Sequence, residues 1–91
     1  MSTKEKIQED VDVLEQETHQ HEIVLHNDDV NTFDHVIDSL IDVCEHSLEQ
    51  AEQCATLVHY KGKCTVKSGE YKYLEPRCSK LLQLGLSAEL I

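Results

Sequence analysis

Phe33, Val36, Ile37, Leu40, Ile41 and Cys44 recur at steps of three and four residues. Only an α-helix places all six on one face, and that face must be buried against something. Asn31 or Thr32 is placed to cap the first turn. Asp34 complements the positive end of the helix dipole, and the helix should end near Glu45-His46. Ser47-Leu48-Glu49-Gln50 has the form of a capping box, which predicts a second helix starting at Ser47. Its inner stripe is Leu48, Ala51, Ala55 and Val58, flanked by Cys54 and Leu57. Gly62 stands where a left-handed residue ends a helix. So short a link makes the two helices antiparallel neighbours. The start of the first and the end of the second, where His59 lies, then come together.

The remaining segments supply a sheet. Ile23, Val24 and Leu25 are a continuous apolar run, so Glu22 to His26 is predicted as a central strand covered on both faces. Lys63 to Ser68 alternates, with Cys64 and Val66 on one side, as a half-buried strand does. Gly69 marks a turn. A third helix is predicted over about 72–84, with Leu74, Cys78, Leu81 and Leu82 inward and Gly85 ending it. Pro76 fits only in its first turn. Leu86, Ala88 and Leu90 alternate in a last strand. The order strand-helix-helix-strand-helix-strand predicts an α+β domain, with helices packed on one face of a three-stranded sheet. Residues 22–91 form this domain. Residues 1–21 are charged and polar, with Ile7, Val11 and Leu14 in a narrow stripe, and read as a flexible acidic tail.

A chain of 91 residues with no Trp and 4% aromatic residues has a small aliphatic core and little room for an elaborate catalytic site. The formal charge of -10 excludes nucleic acid and anionic membrane as partners and favours a cationic ligand or basic surface. No apolar run approaches the roughly 20 residues that span a bilayer. No apolar segment follows Met1 to Lys6 as a secretory signal would. Cys44, Cys54, Cys64 and Cys78 form no C-x-x-C pair, so they read as reduced, small apolar residues in a cytoplasmic protein.

Between the first strand and the first helix lies His26-Asn27-Asp28-Asp29. A polar loop between two packed elements is a common place for a site. An amide and two carboxylates in a row offer many acceptors, which suits a cationic ligand. Alone, the same residues also read as a turn with helix capping. His59 alone reads as a histidine serving a helix C-terminus. The two features taken together favour a binding role.

Asn27-Asp28-Asp29, the helix from Phe33, and Val58-His59-Tyr60-Lys61-Gly62-Lys63 together resemble ClpS, the adaptor of the Clp ATP-dependent protease. The resemblance runs over roughly residues 22–91. It implies a non-enzymatic adaptor without a cofactor. Such an adaptor binds proteins with a bulky N-terminal Phe, Tyr, Trp or Leu (an N-degron) and delivers them to the N-terminal domain of a Clp AAA+ ATPase. By resemblance, Asn27, Asp28 and His59 grip the free α-amino group, and Asp29 completes the loop. Val30, Asn31, Phe33, Val36, Ala55 and Val58 would line the pocket for the first side chain. Lys72, Glu75 and Arg77 would lie on the ATPase-docking side. The chain departs from the family pattern at Phe33, often Met, at Asn31, often Thr, at Ala55, often larger, and at Lys72, often acidic.

The chemistry fits these residue types. An α-ammonium carries three donors and needs about three acceptors, one of them anionic. Asn27 offers an amide oxygen, Asp28 a carboxylate and neutral His59 a ring nitrogen. Three other readings compete. One is an acidic interaction module of the same fold without N-terminal specificity. The second is a metal site drawing on His19, His21, His26, His35 and the two aspartates. The third is a hydrolase using Cys54 or Cys64 with His59, which lacks an orienting third group.

Overall fold

Ile23, Val24 and Leu25 are all buried, at 0%, 7% and 1% exposure, because their strand is the middle one of three. The computed structural model describes residues 20–91. It runs β1 (His21–His26), α1 (Phe33–Cys44), α2 (Leu48–Lys61), β2 (Lys63–Gly69), α3 (Tyr71–Gln83) and β3 (Ser87–Leu90). The sheet order is β2-β1-β3, and both pairings are antiparallel. Three helices pack against this sheet, giving the predicted α+β architecture and element order. The expected acidic tail, residues 1–21, lies outside the described residues except for its last two, and His21 already belongs to β1.

The core joins Ile23 and Leu25 of β1 to Ile37, Leu40 and Cys44 of α1, Ala51, Ala55 and Val58 of α2, and Leu74 and Leu81 of α3. Thr32 caps α1, its Oγ1 accepting from the His35 N–H at 3.0 Å. Ser47 and Gln50 cap α2 reciprocally: Ser47 Oγ accepts from the Gln50 N–H at 3.1 Å, and Gln50 Oε1 accepts from the Ser47 N–H at 3.4 Å. These caps fix where each helix begins, and so fix the angle at which the loop before α1 enters.

The ladder between β1 and β2 slips at Ile23/Val24, where Lys67 and Thr65 are the successive partners and Val66 has none. Such a bulge takes a carbonyl out of the ladder. His46, only 6% exposed, donates from Nε2 to the Val66 carbonyl at 2.7 Å and satisfies it.

Three sequence expectations about the helices differ from the structure. α3 begins at Tyr71, so Pro76 lies in its second turn, not its first. The proline is exposed, so the carbonyl that loses its helical donor faces the solvent side, where the loss is least costly. Leu82 is 52% exposed, because Leu74, Cys78 and Leu81 already define the buried stripe and Leu82 is a further 100° round. Leu48 is 59% exposed because the first residue of α2 stands beyond the edge of the core.

Candidate amine-binding cavity

The end of β1 and the end of α2 are joined directly. Gly62 closes α2 at φ +94, its N–H donating to the Val58 carbonyl at 3.0 Å. Its own carbonyl then accepts the Asn27 N–H at 2.9 Å. A glycine takes this left-handed conformation without a Cβ penalty. The hydrogen bond from Asn27 to Gly62 extends the β1–β2 ladder, which pairs His26 with Lys63, and sets the loop after β1 beside the last turn of α2, which carries His59.

Between them lies a cavity of about 350 Å³. Asn27, Asp28, Asp29 and His59 form its polar side. Asn31, Phe33 and Val36 approach from the start of α1, and Ala55 and Val58 from α2. His26, the first residue of the polar stretch, also lines it, and two residues that sequence reading did not place at the site complete it: Leu25 from β1 and Leu86 from the turn before β3. Leu25 and Leu86 are 1% and 3% exposed, and Ala55 and Val58 are 3% and 5% exposed. Much of the wall is thus buried and apolar, facing the polar side formed by the loop and His59. Val30 is not part of it. It is 85% exposed, because its N–H turns inward to Asp28 and its side chain is carried outward.

The loop is organised by Asp28. Its Oδ1 accepts from the N–H groups of Val30 and Asn31, both at 2.9 Å, and from Asn31 Nδ2 at 3.1 Å. Its Oδ2 accepts from Asn31 Nδ2 at 2.9 Å and from Ser87 Oγ at 3.2 Å. The Asn31 backbone N–H foremost, with the Asn31 side chain, Val30 and Ser87 adding to it, holds this carboxyl below its usual range against the opposing effect of partial burial. Five contacts fill the roughly four lone-pair directions of a carboxylate. Asp28 therefore has no directed acceptor left over; what it offers a ligand is its charge. The side chains of Asn27 and Asp29 make no hydrogen bond to other described residues. Both are exposed at the cavity. The ring of His59 meets that of Tyr60 edge-on, with centroids 4.7 Å apart, and is otherwise open to solvent.

The three α3 residues expected on a docking side do not share a face. Lys72 and Glu75 are exposed one turn apart. Arg77 is turned towards the end of α1. Its guanidinium stacks 3.8 Å over the Tyr73 ring, donates to the Tyr73 carbonyl at 2.9 Å and reaches Glu45 at 3.8 Å.

The histidines considered for a metal point elsewhere. Nε2 of His26 meets Glu89 at 2.8 Å, Nε2 of His35 donates to the Leu84 carbonyl at 2.8 Å, and Nδ1 of His21 donates to the Ile91 carbonyl at 3.2 Å. His19 lies outside the described residues. Among the described residues no three His, Cys, Asp or Glu side chains gather as a metal ion requires. Burial makes Cys44 and Cys54 poor nucleophiles, pushing Cys44 up to about 11. Burial, with a hydrogen bond to Cys64, pushes Cys54 up to about 12. Among the described residues no helix is long and apolar enough to cross a membrane.

The family model described as ATP-dependent Clp protease adaptor protein ClpS matches residues 16–89. The chain belongs to the ClpS family. This is a family of adaptors, not enzymes. The structure of Agrobacterium tumefaciens ClpS2 bound to L-phenylalaninamide superposes with a TM-score of 0.76 at 20% sequence identity, covering 79% of this chain and 94% of that one. At that identity the likeness is one of fold, and it places this ClpS chain on the same arrangement of three strands and three helices.

Proposed function

We propose that this ClpS protein is an N-degron adaptor: it binds proteins through a free N-terminal residue with a bulky apolar side chain and delivers them to a Clp AAA+ ATPase. The observation that carries the reading is the cavity, in which uncommitted acceptors face a largely apolar wall. The ligand of the structurally similar ClpS2, L-phenylalaninamide, has the two features this cavity matches, an α-ammonium and an apolar ring.

In this reading Asn27 offers its amide oxygen, Asp29 a carboxylate and neutral His59 a ring nitrogen to the three ammonium donors. Asp28 supports them by holding the loop and adding its charge. Asn31, Phe33, Val36, Ala55, Val58, Leu25 and Leu86 enclose the first side chain. Lys72 and Glu75 contribute to docking on the N-terminal domain of the ATPase, and Arg77 shapes that face from within. Residues 22–91 form the binding domain, and residues 1–21 serve the hand-over to the ATPase. The free cysteines suit a reducing compartment such as the cytoplasm.

Acetylation of the ligand's amine removes its charge and leaves the acceptors unpaired. Each charge-assisted bond contributes about 1.5–3 kcal/mol, and about 1.4 kcal/mol is a factor of ten. A peptide beginning with Phe or Leu therefore binds at least about 100-fold more tightly than its N-acetylated form. Calorimetric titration of the pair is the test. Equal affinity leaves only an interaction module of the same fold, without N-terminal specificity.

A further inference from the structure

We propose that Ser87, with the Leu84–Ser87 turn it ends, is a positioning element for the amine-binding loop and acts through Asp28; the inference rests on the adaptor reading above. Loop and turn are far apart in sequence, and three side-chain hydrogen bonds tie them. Ser87 Oγ donates to Asp28 Oδ2 at 3.2 Å. Asn31 Nδ2 donates to the Gly85 carbonyl at 2.8 Å while also bonding Asp28. In the first turn of α1, His35 Nε2 donates to the Leu84 carbonyl at 2.8 Å. The orientation of the Asn31 amide follows from its partners, since a carboxylate and a carbonyl both require a donor.

The turn is itself rigid. The Gly85 N–H donates to the Leu82 carbonyl at 3.0 Å, and the Leu86 N–H to the Leu81 carbonyl at 3.0 Å. This is a Schellman end to α3, and Gly85 at φ +91 supplies its left-handed residue. Leu86 packs from the same turn into the cavity wall. A stiff turn that contacts both the polar loop and the apolar wall fixes their relative position. That spacing decides whether an ammonium and the side chain beside it are held at once. Ser87 has the simplest role to isolate: its backbone pairs with His26 in the β1–β3 ladder, but its side chain hydrogen-bonds only the carboxylate that aligns the Val30 and Asn31 N–H groups, and it does not line the cavity.

The test compares wild type with Ser87→Ala and Ser87→Thr, using a Phe-leading peptide and its N-acetylated form. Amide exchange at Val30 and Asn31 is followed in the free proteins. Loss of one supporting hydrogen bond is expected to weaken the free-amine peptide roughly three- to tenfold. The acetylated form is left unchanged, so the ratio between the two narrows. Exchange at Val30 and Asn31 quickens, and Ser87→Thr, which keeps the hydroxyl, restores both readouts. The positioning role is overturned if Ser87→Ala keeps the wild-type ratio, or if it weakens both peptides equally, as general loosening would. A wild type that does not distinguish the two peptides overturns the adaptor reading, and this inference with it, before any variant is compared.

Discussion

Asp28 and Asp29 are adjacent acids with different work. Asp28 is consumed by donors from Val30, Asn31 and Ser87, whereas Asp29 stands exposed at the cavity. The spacing of the loop from His59 was legible in sequence, but this division was not. It depends on a donor 59 residues away, for which no local pattern exists. Val30 was misplaced for the same reason: its outward turn is a consequence of where Asp28 directs its N–H. Because its folded-state pKa is depressed, the contribution of Asp28 to loop order is complete above the ordinary aspartate value, about 3.9. It is lost only as pH falls through the lower folded value. Amide shifts of Val30 and Asn31 should therefore hold steady down to about pH 4 and move below it. Movement centred well above that would contradict the assignment. His59→Ala should weaken a Phe-leading peptide about tenfold or more, with little effect on thermal stability, since the ring is exposed. Unchanged binding in a calorimetric titration would exclude His59 as an acceptor.

At the scale of elements, the strongest sequence signals were those in which several local preferences agree. The stripe from Phe33 to Cys44, the Ser47-Gln50 box and the Ile23-Val24-Leu25 run each predicted an element that the structure contains. The start of α3 was less legible, because Pro76 argues for a first-turn position while packing of Leu74 extends the helix back to Tyr71. The bulge at Val66 left no sequence signal, since it is defined by how His46 closes on it. Capping and binding should separate experimentally. Ser47→Ala removes a cap at the far end of α2 and should cost about 1 kcal/mol of stability, read as a lower denaturation midpoint, while peptide affinity is unchanged. A loss of affinity at saturating fold would show that the α1–α2 turn couples to the cavity.

Over the whole molecule, a chain with formal charge -10 presents a small acidic domain whose proposed ligand is a cation. The four cysteines are free, and burial keeps Cys44 and Cys54 protonated at neutral pH. Iodoacetamide should therefore label Cys44 and Cys54 slowly in the native protein and fast after denaturation; rapid native labelling of Cys54 would reopen the nucleophile reading. Every group assigned to the ligand lies between Leu25 and Leu86. Removal of residues 1–20 should thus spare peptide binding and impair only delivery to the ATPase. The most direct test of the cavity is to titrate the isotopically labelled protein with L-phenylalaninamide and follow its amide resonances. The largest shifts should fall together on Asn27, Asp29, Val58, His59 and Leu86. Shifts gathered on α3 around Lys72 and Glu75, or none at all, would contradict the assignment of the cavity as the amine-binding site.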